Sequence, residues 1–451
     1  MKRYFQLTAL ILLIAWSCTP KKENTQTATE EISTDSLLTL VQYHTFQYFW
    51  DGAESTSGLA PERIHMDGDY PQNDQHVVTS GGSGFGVMAI LVGIERGFIT
   101  RDQGRERLEK IVNFLDTADR FHGVWPHWWD GETGKVKPFS PKDNGGDLVE
   151  TSFMVQGLLC VRQYFRDGTN EEKALAEKID KLWREVEYDW YRKDNGNVLY
   201  WHWSPEYDWE MNLPIRGYDE CLITYILGAS SPTHGIPAEV YHEGWARGGD
   251  IKNDPDHEAL GYHLSVKHNG AIQYGGPLFW AHYSYLGLDP RGLKDKYANY
   301  WEHNTNHTLI NRAWCLENPL GYEGYGPQSW GLTSSYSVEF YAGHAPGENR
   351  DKGVITPTAA LSSMPYTPEY SIEAMKYWYE ELGDKVFGEY GFYDAFSETE
   401  DWFPQKYLAI DQGPIIVMIE NHRSGLLWDL FMSCPEIKEG LKKLGFESPK
   451  L

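Results

Sequence analysis

Apolar segments alternate with more polar, amphipathic ones along most of the chain. Six apolar segments open at or beside glycine: Gly81-Gly82-Ser83-Gly84, Gly145-Gly146-Asp147, Gly217-Tyr218-Asp219-Glu220, Gly275-Gly276-Pro277, Gly353-Val354-Ile355 and Asp411-Gln412-Gly413-Pro414. Their starts lie about 57 to 80 residues apart, which is room for two helices and their loops. Several of the polar partners carry start signals. Thr100-Arg101-Asp102-Gln103 has the capping-box pattern. Thr367-Pro368-Glu369 places proline at a first helical position, and Asn170-Glu171-Glu172 loads acids into a first turn. A glycine-opened apolar helix followed by an amphipathic one, six times over, predicts an all-α (α/α)6 toroid with inner and outer rings of helices. A helix over 36–50 then belongs to the outer ring.

An open α-solenoid would have short, uniform loops. The stretches 121–144, 190–216, 314–352 and 384–410 are long, and each precedes an inner segment, so they are expected to gather at one end of the toroid. They hold Trp125, Trp128, Trp129, Trp190, Trp201, Trp203, Trp209, Trp314, Trp330 and Trp402. Indole faces stack on the C–H faces of sugar rings, although loops this long also use aromatic residues to pack their own interiors.

The N-terminus reads differently. Met-Lys-Arg is followed by an apolar run over 4–15 and then by Ala15-Trp16-Ser17-Cys18. The run is too short to cross a bilayer and reads as a signal peptide over 1–18. A cysteine at the cleavage point resembles a lipoprotein signal with Cys18 as the lipidated residue. Residues 19–33 are polar and lack apolar periodicity, as in a flexible tether. No linker interrupts 34–451, which is expected to be a single catalytic domain. The expected location is the bacterial periplasm or outer membrane.

The formal net charge is −25 at pH 7, and about −27 once Lys2 and Arg3 are removed with the signal. Such a surface repels nucleic acid and anionic lipid, so membrane contact is expected only through the anchor, and a neutral sugar suits the charge. The remaining cysteines, Cys160, Cys221, Cys315 and Cys434, show no metal-ligand spacing; Cys160 reads as a buried thiol.

Residues 143–150 read Asp-Asn-Gly-Gly-Asp-Leu-Val-Glu before an apolar helical run over 151–165. Asp143, Asp147 and Glu150 therefore crowd one helix entrance, with Asp147 and Glu150 on one face at i,i+3. Backbone N–H groups there favour the ionised form, while like charges held close push one pKa upward. One site then holds both an acid and a base. Acids are also ordinary N-caps. Asp219 and Glu220 open the next inner segment and Asp411 opens the last, where it reads chiefly as a cap. Gly81 to Gly86 lacks the Lys-Ser/Thr ending of a phosphate loop and is better explained by close helix packing or a wall for a sugar. His303 and His307 form an i,i+4 pair without a zinc protease's glutamate, and are expected to face solvent.

Taken together, Ser57-Gly58-Leu59-Ala60-Pro61-Glu62-Arg63, Thr79-Ser80-Gly81-Gly82-Ser83-Gly84-Phe85-Gly86, Gly123-Val124-Trp125-Pro126-His127-Trp128, Gly146-Asp147-Leu148-Val149-Glu150-Thr151-Ser152 and Gly217-Tyr218-Asp219-Glu220 resemble the glycoamylase-like bacterial proteins. These include the β-1,2-glucanases of glycoside hydrolase family 144. The resemblance runs from about residue 36 to the C-terminus. It implies an (α/α)6 toroid and an anomer-inverting hydrolase of β-1,2-glucan or sophoro-oligosaccharides, with the catalytic acids at Asp143, Asp147, Glu150 and Glu220.

The expected substrate-binding set is Trp125, His127, Trp128, Arg63, Trp203, Tyr218, Trp330, Glu339 and Trp402. No cofactor or metal is called for, the partner is a neutral glucan, and the protein is expected to be a monomer. A glucoamylase-like enzyme of other linkage, a non-catalytic glycan-binding lipoprotein and a polysaccharide lyase are the competing readings. A binder would not need clustered acids, and a lyase of uronates wants a cationic cleft.

Overall fold

Two rings of helices follow from two burial patterns. In the computed structural model, which describes residues 32–451 except 72, 73 and 272, helix α1 (Thr34–Trp50) is followed by α2 (Ser80–Glu95), buried on every side from Ser80 to Gly93. Helix α3 (Arg101–Thr117) instead buries the single stripe Leu108, Ile111, Val112 and Leu115, the i, i+3, i+4, i+7 pattern of an outer helix. Its expected capping box is present between Thr100 and Gln103. The pair repeats as α4 (Leu148–Phe165), buried nearly throughout, and amphipathic α5 (Asn170–Arg184), capped reciprocally by Thr169 and Glu172.

Around the rest of the ring the inner elements are α6 (Leu222–Ser230), a pair of 3₁₀ turns (Leu278–Ala281 and Tyr283–Tyr285), α8 (Pro357–Leu361) and α10 (Ala409–Arg423). The outer ones are α1, α3, α5, a π-helical turn (Val240–Trp245), α7 (Tyr300–Glu317) and α9 (Pro368–Tyr377). Helices α10, α2, α4 and α6 pack side by side in that order. Two C-terminal helices, α11 (Leu426–Met432) and α12 (Pro435–Leu444), close the ring against α4 and α6. Residues Thr34–Leu451 form one compact unit, and the fold is the (α/α)6 toroid. The segments expected to be a signal peptide ending at Cys18 and, as far as residue 31, a tether lie outside the described residues.

Two expectations are corrected. The fourth apolar segment is not an α-helix: it carries Phe279, Trp280, Tyr283 and Tyr285 within a few residues of Pro277, and aromatic side chains lose rotamer freedom in a helix. His303 and His307 do not face solvent. The face of α7 that bears them packs on the segment around His268. There His268 Nε2 meets His303 Nε2 at 2.8 Å, and His307 Nε2 meets the Gly276 carbonyl at 2.9 Å. Burial drives His303 well below the ordinary range and His307 to about 4, so both stay neutral.

Finally, the helical rings carry short antiparallel ladders. Val77–Thr79 pairs with Trp128–Asp130, Gly146–Asp147 with His202–Trp203, and Arg63–His65 with Lys406–Leu408. Each ladder ends at the residue before an inner helix, α2, α4 or α10, and so ties a long loop to that helix's N-terminus. The glycine run 81–86 is spent on packing: a Cβ on Gly84 would lie 2.5 Å from Met154 Cα, so only glycine lets α2 approach the backbone of α4 so closely.

Candidate active site

At the end of the toroid where the ladders meet the inner helices lies a cavity of about 620 Å³. Asp143, Asp147, Glu150 and Glu220 all line it, as do Arg63, His127 and Trp128. Asp147 is buried and is the N-cap of α4: the Val149 and Glu150 N–H groups donate to its Oδ1 at 3.0 and 2.9 Å. Its Oδ2 accepts from His127 Nδ1 at 3.0 Å. The ladder sets His202 opposite Asp147, and His202 Nδ1 lies 3.3 Å from Asp143 Oδ1 and 3.9 Å from Asp147 Oδ2.

This arrangement sorts the charges. Burial works against ionised Asp147, but His202 and His127 overcome it and hold its pKa below the ordinary carboxylate range. Burial likewise opposes charge on His127, yet Glu150 and Asp147 push it up to about 10. Glu150 goes the other way. Burial is the main cause, against which His127 pulls and to which Asp147 and Glu62 add, and the result is about 7. Its Oε2 accepts the Gly81 N–H at 2.8 Å, so the first turn of α2 positions an acid carried by α4. Glu220, at the entrance to the third inner helix, is raised well above its ordinary value by burial first and then by Asp219, Glu150 and Asp147. An ionised aspartate, a glutamate that keeps its proton and a second glutamate raised to about 7 thus share one cavity, and the first two are the pair of states that general acid–base chemistry needs.

His127, Asp143 and Asp147 bring donor atoms within 4.8 Å of one another, as do Asp219, Glu220 and Cys221. In the first group His127 Nδ1 is already bound to Asp147, and ion pairing accounts for its geometry. In the second, Asp219 already accepts from the Cys221 N–H at 2.9 Å and from Asn269 Nδ2 at 2.8 Å.

The aromatic expectations fare unevenly. Trp128 forms the wall, with the Arg63 guanidinium 5.6 Å from its ring centroid. Trp125 is buried instead, its indole N–H donating to the Leu115 carbonyl at 3.2 Å. Tyr218 is buried with its hydroxyl on Asn304 Oδ1 at 2.6 Å, and Trp330 is buried as well. Trp203 lies against His122 and Trp190 rather than in the cavity. Glu339 is exposed and Trp402 half-buried, and neither lines the cavity. Packing the loop interiors took these tryptophans, because a large side chain at the base of a long loop has more area to bury there than at its rim.

Trp201, one of the loop tryptophans expected at this end, lines the cavity, and sequence reasoning missed Glu62, Phe139, His202, Tyr283, Tyr336 and Tyr341, which line it as well. Phe139 stacks on His127 at 4.2 Å between ring centroids and edges onto Trp128 at 4.9 Å. The Asp143 N–H bonds to the Ser140 carbonyl at 3.0 Å, a turn that holds Phe139 there. Glu62 was legible only as the neighbour of Arg63.

Asp411 is not the cap it was expected to be. Leu408 holds that position, and Asp411 sits buried beside the carboxyl group of Asp394. Burial pushes Asp394 up to about 6, and burial together with Asp394 pushes Asp411 well above the ordinary range. Tyr283, which lines the cavity, donates to Asp411 Oδ1 at 3.4 Å.

The family model "Glycoamylase", described as "Putative glucoamylase", matches residues 212–435. A solved endo-β-1,2-glucanase from Chitinophaga pinensis, in complex with sophorotriose and glucose, is 71% identical with a TM-score of 0.92, over 93% of this chain and 100% of that one. A solved β-1,2-glucanase from Parabacteroides distasonis is 44% identical with a TM-score of 0.86, over 92% of this chain and 60% of that one. An exo β-1,2-glucooligosaccharide sophorohydrolase (non-reducing end) from the same species is 43% identical over 456 residues, 98% of this chain and 62% of that protein. The chain therefore spans less than two thirds of the length of that curated relative.

Proposed function

Because the chain belongs to the glycoamylase-like family, we propose that it is a glycoside hydrolase that cleaves β-1,2-glucan or sophoro-oligosaccharides with inversion at the anomeric carbon. The observation that carries this is the division of charge in one cavity lined by four carboxyl groups: His202 and His127 keep Asp147 ionised, burial keeps the proton on Glu220, and Glu150 between them is raised to about 7. Glycoside hydrolysis needs that pair of states on either side of the scissile bond. In this reading Glu220 gives its proton to the glycosidic oxygen. A water attacks the anomeric carbon from the other face and passes its proton to the Asp143–Asp147 side. Glu150, fixed by the Gly81 N–H, keeps the two ends apart in charge. Trp128, Phe139 and Tyr341 offer ring faces to the sugar, and Arg63, His127 and Tyr336 offer donors to its hydroxyls.

The similarity to proteins that act on β-1,2-linked glucose supports this linkage over the α-1,4 linkage suggested by the older family description. The proposal includes export through residues 1–18, a lipid on Cys18 and a tether over 19–33 that holds a monomeric catalytic domain at a membrane. The test is a panel of linear β-1,2-, β-1,3-, β-1,4- and α-1,4-glucans with the products sized. Short oligosaccharides are expected from the β-1,2 polymer alone, and release from the α-1,4 polymer in its place would defeat the assignment.

A further inference from the structure

Trp190 is 41% exposed, the most exposed tryptophan among the described large apolar side chains. It is nonetheless held firmly. One face stacks on the His122 ring at 3.8 Å between centroids and 13° between planes. His122 adopts a positive φ of 54° and is fixed by Glu187 Oε2, 3.0 Å from its Nδ1. The Trp190 backbone N–H is held by the Asp189 side chain at 3.1 Å and the Glu187 carbonyl at 3.0 Å.

Trp203 closes the edge, nearly perpendicular to both rings. Trp209 lies alongside at 6.4 Å and 32°, itself braced by Tyr191 and Tyr200. A single exposed aromatic is unremarkable, but an indole backed on one face, braced at its edge and flanked by a second is an ordered platform.

None of these rings lines the cavity, yet the platform adjoins it. His202 and Trp203 are consecutive in the ladder that pairs with Gly146–Asp147: His202 lines the cavity, and Trp203 packs under the platform. We propose that Trp190 and Trp209, backed by His122 and Trp203, form a second, non-catalytic binding platform for the same neutral glucan whose cleavage is proposed above, engaging a stretch of chain away from the scissile bond. The rings are spaced on the scale of neighbouring sugar units, and the strong negative charge of the chain disfavours a nucleobase or acidic partner there. Two attachment points on one polymer raise the effective concentration of substrate at the cavity, a gain that a chain too short to span them does not receive.

The experiment compares the full protein with Trp190→Ala, Trp209→Ala and Trp190→Phe, on long β-1,2-glucan and on the shortest oligosaccharide that the wild type cleaves. Migration through gels containing the polymer and oligomeric state in solution are recorded alongside. Both alanine variants are expected to raise KM for the polymer roughly five- to tenfold, the size of one lost aromatic stack. They leave kcat and the short-substrate kinetics unchanged and lose retardation in the gel, while Trp190→Phe keeps most of it. Equal kinetics on the polymer, an equal loss on both substrates, or a change of oligomeric state in Trp190→Ala overturns the platform. If the wild type cleaves no β-1,2-glucan but is still retarded by it through Trp190, the hydrolase reading fails and the platform stands.

Discussion

Gly81→Ala tests the site without altering any ionisable group. The Gly81 N–H donates to Glu150 Oε2 at 2.8 Å, and a Cβ at this position would stand 2.1 Å from that oxygen, 2.8 Å from Glu150 Cδ and 3.1 Å from Phe153 Cδ2. Non-bonded atoms settle at about 3.5 Å, so the carboxyl must retreat by on the order of 1 Å. The backbone here is ordinary helix, in which alanine is better tolerated than glycine by roughly 0.5–1 kcal/mol, so the fold is expected to survive. Against that gain stands the loss of a hydrogen bond to a carboxyl, about 1–3 kcal/mol. A misplacement of about 1 Å beside the reacting groups can cost about 10²-fold. Steady-state kinetics on β-1,2-glucan should show kcat reduced by about that factor, with circular dichroism unchanged and a melting temperature within a few degrees of wild type. A Gly81→Ala enzyme with kcat within about threefold of wild type would show that Glu150 need not stand where the Gly81 N–H holds it.

Glu220→Gln and Asp147→Asn are each expected to lower kcat by about 10² or more while the protein remains folded, since each removes one proton-transfer partner; wild-type rates in both would remove the catalytic assignment. Because Glu150 is raised to about 7 chiefly by burial, the folded protein binds its proton more tightly than the unfolded chain does. That contribution to stability is present at low pH and is lost as pH rises through about 7. Asp147 keeps its charge throughout, so kcat/KM should decline as pH rises through the same region. Glu150→Gln, which cannot ionise, should move that limb to higher pH, and an unmoved limb would assign it elsewhere. Cys18→Ser should shift the protein from the membrane fraction to the soluble one, because stable attachment takes more than one acyl chain; unchanged fractionation argues against the anchor.

The helical rings were legible because burial writes its period directly into the chain. A stripe at i, i+3, i+4, i+7 gave α3 and α5, and unbroken apolar runs gave α2 and α4. The acid cluster at α4 was legible for a related reason: Asp147 and Glu150 are local neighbours on one helix turn. What failed depends on partners distant in sequence. His202 reaches Asp147 only through a two-residue ladder, too short to have a period. Asp394 meets Asp411 across a loop and an inner-helix entrance. His303 and His307 show the same limit in reverse, since their helix looks polar and exposed until the segment around His268 packs on it. Which tryptophan faces a sugar and which fills a loop is decided by loop geometry, so Trp125 and Trp128, three residues apart, part company.

The most direct test of the account is proton NMR of the wild-type enzyme digesting β-1,2-glucan, recorded before mutarotation. Carboxyl groups carried by separate inner-helix entrances leave room for a water between sugar and base, the arrangement of an inverting enzyme. The α-anomer of the new reducing end is therefore predicted to appear first, with the β-anomer growing in later. First appearance of the β-anomer would require a carboxylate close enough to form a glycosyl-enzyme, and would contradict the roles given to Glu220 and the Asp143–Asp147 pair.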